Sequence, residues 1–208
     1  VTDVAAPILD VSEPETKGER TRQRILALAV DRFGTRGYRA TSVSEIARAA
    51  GLTQAASYAY FDSKESLFAA AVDHDASALL ADAWTAVNDE SIDLLVPSLV
   101  TALMAGLDNH PLAARVLAGN EPDAVPRLVD LPALERFGER LAGVLREAQA
   151  EGRVRPDVDP AVVSGGIEAL MLGVLFAWVQ AKGTSKRRHV VGVTGAFGLM
   201  LCPPRLTR

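Results

Sequence analysis

The chain has 208 residues, 49% of them apolar and only 5% aromatic, and carries a net charge of −4. That length allows one large domain or two small ones with a real core, and the alanine-, leucine- and valine-rich mix points to helices. Cys202 is the only cysteine, which excludes an intrachain disulfide, and His74, His110 and His189 show no metal-ligand spacing.

Residues 1–16 hold Asp3, Asp10, Glu13 and Glu15 and no basic residue. Without a basic start and an apolar run, they read as a flexible acidic tail on a cytoplasmic protein, not as a secretion signal. Residues 17–64 are different. Nine basic residues (Lys17, Arg20, Arg22, Arg24, Arg32, Arg36, Arg39, Arg48, Lys64) stand against four acidic ones (Glu19, Asp31, Glu45, Asp62). This stretch is +5 in a chain of −4, so a basic module sits on an acidic body. A solvated helix face or a polyanion partner for one end accounts for it.

The first helix is expected from about Lys17 to Thr35, with Ile25, Leu26, Ala29 and Phe33 on one side and Gly37 ending it. Ser42 followed by Glu45 reads as a capping box opening a second helix, whose inner face is Val43, Ile46, Ala47 and Ala50. Gly51 suits the left-handed position after its end. Thr53 caps a third helix reaching about Tyr60, and Asp62 or Ser63 caps a long fourth one. Asp73, His74 and Asp75 are expected to face solvent, since successive helix positions point in different directions.

Beyond residue 90 the pattern is helix and turn throughout. Pro97 is expected to kink or break the helix around it. "EPDAVPRLVDLP" is irregular, Leu134, Phe137, Leu141, Val144 and Leu145 share one face of the next helix, and Asp159-Pro160 opens another. Residues 161–181 contain a single charge, Glu168, and are long enough to span a bilayer. Ser164, Gly165, Gly166 and Gln180 favour burial in a bundle or a subunit interface instead, so no membrane partner is expected. The chain shows no strand alternation of useful length, and the fold class is all-α.

Two short helices joined by a glycine turn over 42–61 form a helix-turn-helix, whose second helix reads base edges in the major groove. A reading helix needs small residues for close approach and a few outward hydrogen-bonding groups. Thr53, Gln54, Ala55, Ala56 and Ser57 meet that need. Gln54 is the base-reading candidate, because an amide can bind adenine bidentately, and Ala56 can pack on a thymine methyl. Tyr58 and Tyr60 are candidates for phosphate contact, while Phe61 belongs inside. Lys64 opposes the helix dipole unless the helix start faces a phosphate. Thr41, Ser42 and Ser44, at the start of the second helix, complete the candidate DNA-contact set. The same small residues also suit a tight turn with no ligand.

The string "TRQRILALAVDRFGTRGYRATSVSEIARAAGLTQAASYAYFDSKESLFAAAV" resembles the DNA-binding domain of the tetracycline-repressor (TetR) family over about residues 19–79. Phe33, Gly37-Tyr38, Thr41-Ser42, Ile46-Ala47, Ala50-Gly51, Tyr58, Phe61 and Lys64 carry the likeness. Three positions depart from the family's habit: Ala55 stands for a frequent glycine, Ser57 for leucine or isoleucine, and Ala59 for an aromatic or histidine. The operator sequence therefore does not carry over, and the packing of the short helix is open to question at Ser57.

The resemblance implies a three-helix helix-turn-helix domain over 17–79 and a helical ligand-binding and dimerisation domain over 80–208. It implies a homodimeric repressor on a double-stranded DNA operator, released by a small apolar effector, with no cofactor, metal or catalytic residues. The alternative reading is a helical small-molecule-binding enzyme or carrier with an incidental helix-turn-helix. The dimer stripe is read as Val163, Ile167, Leu170, Met171, Val174, Leu175 and Trp178, together with Val190, Val193, Phe197 and Met200. An intrachain core would use the same stripe. Candidate pocket residues are Trp84, Met104, Leu107, His110, Phe137 and Trp178, each of which also suits ordinary core.

Overall fold

The structure is a computed structural model, and it describes residues 16–87, 91–122, 124 and 130–180. The acidic tail before Thr16 and the interface candidates Val190, Val193, Phe197 and Met200 lie outside these residues. Among the described residues there are helices and turns and no strand. In chain order they are α1 (Lys17–Arg36), α2 (Val43–Ala49), α3 (Gln54–Ser57), α4 (Lys64–Ala86), α5 (Ile92–Gly106), α6 (Pro111–Leu117), α7 (Pro132–Ala150) and α8 (Pro160–Gln180). A 3-10 turn, Leu107–Asn109, joins α5 to α6.

Local chemistry explains where the first four helices begin and end. Thr16 and Glu19 form a capping box at the start of α1, each side chain bonding the other's backbone. Gly37 ends α1 at φ +84, a conformation L side chains rarely adopt. A Cβ there would also lie 2.4 Å from the Arg115 guanidinium. Ser63 caps α4, reciprocated by Ser66. The capping box expected at Ser42 does not form. Ser42 Oγ lies 2.6 Å from Ser44 Oγ, and Glu45 turns to Arg36 at 3.6 Å. Pro97 does not break α5, which runs unbroken from Ile92 to Gly106.

The reader helices and the other described helices share one core. Ile25, Leu26, Ala29 and Phe33 of α1 are buried, as their spacing predicts, and Phe33 meets Phe68 of α4 edge-on at 5.1 Å. The same cluster of buried residues continues through Leu79, Leu99, Leu103 and Leu112 to Leu141, Ile167 and Met171. α4 belongs to both parts. It packs on α1 and also on α5, α6 and α7.

Asp73 and Asp75 do not face solvent freely. Asp75 is 4% exposed and accepts backbone N–H bonds from Leu112 (3.0 Å) and Ala113 (2.8 Å) at the start of α6. His110 bonds Asp75 through Nδ1 at 3.0 Å and lies 3.3 Å from Asp82 through Nε2. Asp73 accepts from Ala133 N at 2.7 Å and meets Arg136 at 3.3 Å. Two carboxylates on successive faces of α4 thus satisfy the free N–H groups of two other helices. Nothing near Asp73 in the sequence announces this, because the partners come from 35 or more residues away.

α8 is apolar nearly all round, and its neighbours choose which side is inside. Ile167, Met171, Val174 and Leu175 pack within the chain, against α7 and α5, and Val163 and Trp178 are half-buried. Of the seven residues expected to form the outward stripe on this helix, only Leu170 is exposed, at 48%. The outward face is Val162, Gly166, Ala169, Leu170, Gly173 and Ala177.

Glu168 is the one charge on α8, and its side chain lies against Gly138 of α7. Burial raises its pKa above the ordinary glutamate value. A raised carboxyl pKa means the fold holds its proton better than the unfolded chain does, so stability falls as pH rises through the glutamate range. Glu168→Gln is expected to raise the melting temperature at pH 7. The gain should vanish below the glutamate range; a gain that persists there would place its cause elsewhere.

Candidate nucleic-acid interface

α3 is a single turn, and its exposure is one-sided. Thr53, Gln54, Ala55 and Ala56 are exposed in succession, with Tyr58 (42%) and Ala59 following. Thr53 caps the turn, accepting from Ala56 N at 3.2 Å. The helix stops at Ser57, short of the expected Tyr60. A turn this short has little stability of its own. It is held because Ile46 and Ala47 of α2 and Phe61 after α3 are buried beside α1.

Two expected contacts are corrected by burial. Thr41 is 3% exposed, and its hydroxyl donates to the carbonyls of Gly37 (2.8 Å) and Arg32 (3.1 Å). It locks the α1–α2 turn and has no path to a phosphate. Ser57 is 4% exposed and donates to Gln54 O at 2.7 Å. This back-bonding, usual for serine in a helix, lets a polar residue fill an inward position without an unsatisfied hydroxyl.

The remaining candidates lie on the outside. Gln54 Nε2 is 3.5 Å from Tyr58 Oη, so amide and phenol form one polar edge. Ser44 is exposed and Ser42 half-buried at the start of α2. Tyr60 is half-buried and packs on the core. Lys64 is half-buried, with its ammonium 4.4 Å from the centre of the Tyr38 ring. That cation–π contact holds a lysine at a helix start, where the dipole alone disfavours it. Arg39, in the turn before α2, and Arg48, near its end, are exposed; the charge count included them, but helical periodicity did not single them out.

The six pocket candidates do not gather around one space. Leu107, His110 and Phe137 are buried, while Met104 and Trp178 are half-buried. Trp84 stacks obliquely on Phe137 at 5.6 Å, with Arg140 over its ring at 4.4 Å. An internal cavity of about 60 Å³ is lined instead by residues such as Leu79, Leu103, Val116, Leu134, Leu172 and Leu175. A larger one, about 330 Å³, lies where α1 and α4 meet the chain after α6.

Two helices, Ile92–Asn109 and Pro160–Gln180, are long and apolar enough to cross a membrane by composition. In the second, only 28% of the most apolar window is buried within the chain.

The profile of bacterial regulatory proteins of the tetR family matches residues 25–71. The HTH-type transcriptional regulator YdgC of Bacillus subtilis is 34% identical over 107 residues, 51% of this chain and 47% of that protein. The HTH-type transcriptional repressor KstR2 of Rhodococcus jostii is 30% identical over 154 residues, 70% of this chain and 74% of that protein. Among solved structures, a TetR-family regulator from Mesorhizobium loti superposes with a TM-score of 0.67 at 22% identity, covering 91% of this chain and 100% of that one.

Proposed function

The chain belongs to the TetR family of bacterial regulators, and from that premise we propose a homodimeric repressor that a small, largely apolar molecule releases from its operator. It is a DNA-binding transcriptional regulator, and the helical enzyme or carrier is the weaker reading. The repressor sign is supported by the printed role of KstR2. A cytoplasmic location follows from the need to reach DNA.

The observation that carries the proposal is the outward side of α3. A capped turn presents Gln54 between small neighbours, with exposed Arg39 in the turn before α2 and Arg48 near its end. In the proposed dimer the outward face of α8 meets its copy. Gly166, Ala169, Gly173 and Ala177 let two helices approach closely, and apolar surface left open in one chain is covered by the other. Two α3 turns then stand about 34 Å apart, matched to successive major grooves. Effector binding favours a state with the wrong spacing, so DNA and effector weaken each other equally. Residues 17–79 supply the reading module and 80–208 the responsive one, with α4 continuous through both.

Selection of bound duplexes from a random pool, followed by titration against salt, tests the reading. Affinity for the selected duplex should fall steeply with salt. A dimeric sample that binds no duplex at any salt concentration would sink it. Gln54→Ala should cost about 1–3 kcal/mol at one base pair of each half-site and relax preference there. Equal discrimination by both proteins removes Gln54 as a reader. Lys64→Ala should weaken all duplexes alike and make the salt slope shallower by about one. An unchanged slope leaves Lys64 with its Tyr38 contact alone.

A further inference from the structure

One cavity among the described residues does not lie in the middle of the helical body. It lies at the junction of the reader and the body, lined by Tyr38, Glu65, Phe68, Val72, Glu121 and Leu131, with a volume of about 330 Å³. That is the lower end of the range for small-molecule sites, whereas the cavity among Leu79, Leu103 and Leu175, about 60 Å³, has room for little more than water.

Its chemistry is specific. Among the described residues, Glu65 and Glu121 are the charged groups lining it, and the remainder is aromatic or aliphatic. Glu121 Oε1 accepts both the Tyr38 N–H at 3.0 Å and Arg115 Nε at 2.7 Å. Glu65 Oε1 accepts the Tyr38 hydroxyl. The Tyr38 hydroxyl, then backbone and Ser63 bonds, and least of all Lys64, hold the Glu65 carboxyl below the ordinary glutamate range, so it stays ionised near neutrality. Among the described residues no third metal-binding group joins these carboxylates, and apolar walls of this extent suit an organic body.

We propose that this cavity is an effector site for an amphipathic organic monocation, a protonated amine with an aryl or short alkyl body. The ammonium bonds Glu65 and Glu121, and the body lies against Phe68, Val72 and Leu131. The proposal rests on the regulator reading and names the class of its effector. The site also has a direct route to the DNA face. Tyr38 follows Gly37 in the α1–α2 turn; its N–H bonds Glu121 of the body and its hydroxyl bonds Glu65 at the start of α4, the two carboxylates the amine engages. An amine competes for those carboxylates, loosens the turn that places α2 and α3, and so lowers affinity for DNA. The duplex must weaken the amine by the same factor.

The test uses the full chain and three probes of one shape: phenylbutylamine, phenylbutanol and phenylbutanoate. Calorimetry without DNA measures the site alone. The amine should bind at least about tenfold tighter than the alcohol, and the acid more weakly still. Glu65→Gln keeps an acceptor for Tyr38 but removes the charge, and Ala69→Trp fills the cavity mouth. Each should weaken the amine about tenfold or more while leaving the helical spectrum intact. In anisotropy titrations the amine should weaken the selected duplex, and less so for either variant. Alcohol binding as tight as amine binding overturns the proposal. So does an amine that does not bind, that ignores both variants, or that binds without changing duplex affinity. Failure of the duplex to bind with no amine present counts against the regulator reading alone, because the amine isotherms need no DNA.

Discussion

Replacing Asp75 by alanine is expected to lower the melting temperature by roughly 10 °C, from a loss of about 3–5 kcal/mol in a chain this long. The carboxylate is 4% exposed and is the shared acceptor for Leu112 N, Ala113 N and His110 Nδ1. Alanine removes the acceptor and leaves those donors in a space that water does not reach, which costs more than the bonds themselves contribute. Asp75→Asn keeps one carbonyl oxygen and should lose roughly half as much. The consequence reaches the DNA face, because α6 packs on α1 as well as on α4. A frayed α6 should therefore lower duplex affinity even though Asp75 touches no DNA. Calorimetric scans of the two variants check this, and a melting temperature within about a degree of the parent would show that the network contributes little.

Leu170→Glu is expected to give a folded monomer that binds a palindromic duplex on the order of a hundredfold more weakly or worse. Leu170 is 48% exposed in the single chain, so a glutamate there should change folding stability by no more than about 0.5 kcal/mol. In the proposed dimer it meets its own copy, and two carboxylates would be forced together in an apolar seam. Once the subunits part, each reader binds its half-site alone and the gain from linking two sites is lost. Sedimentation, circular dichroism and duplex titration separate the steps. A variant that stays dimeric would move the interface off this face. Ile167→Glu is the contrasting case: Ile167 is 1% exposed within the chain, and its replacement should unfold the protein, not merely divide the dimer.

These two variants mark where a one-dimensional reading stops. The helical class, the Ile25–Phe33 face, the Thr53 cap and the glycine stops at Gly37 and Gly51 were all legible, because each depends on residues within about one turn of one another. So was the small, polar outward side of α3 at Gln54 to Ala56. The likeness over 19–79 added the reader's role to that pattern. The capping box at Ser42 had the right spacing, yet Arg36 drew Glu45 away. Thr41 and Ser57 look like surface hydroxyls in a polar stretch, and each turns inward to a carbonyl.

What the sequence by itself determined is the set of helices, their caps and the location of the reading turn, since near neighbours set those energies. The tertiary structure decided which side of α8 is inside, what Asp73 and Asp75 hold, and where a cavity opens. A helix apolar all round has no preferred face until α5 and α7 cover one. Asp75 gains its partners only when α6, 35 or more residues further on, lies across it. The cavity at Tyr38, Glu65 and Glu121 exists because three segments far apart in the chain leave a gap between them.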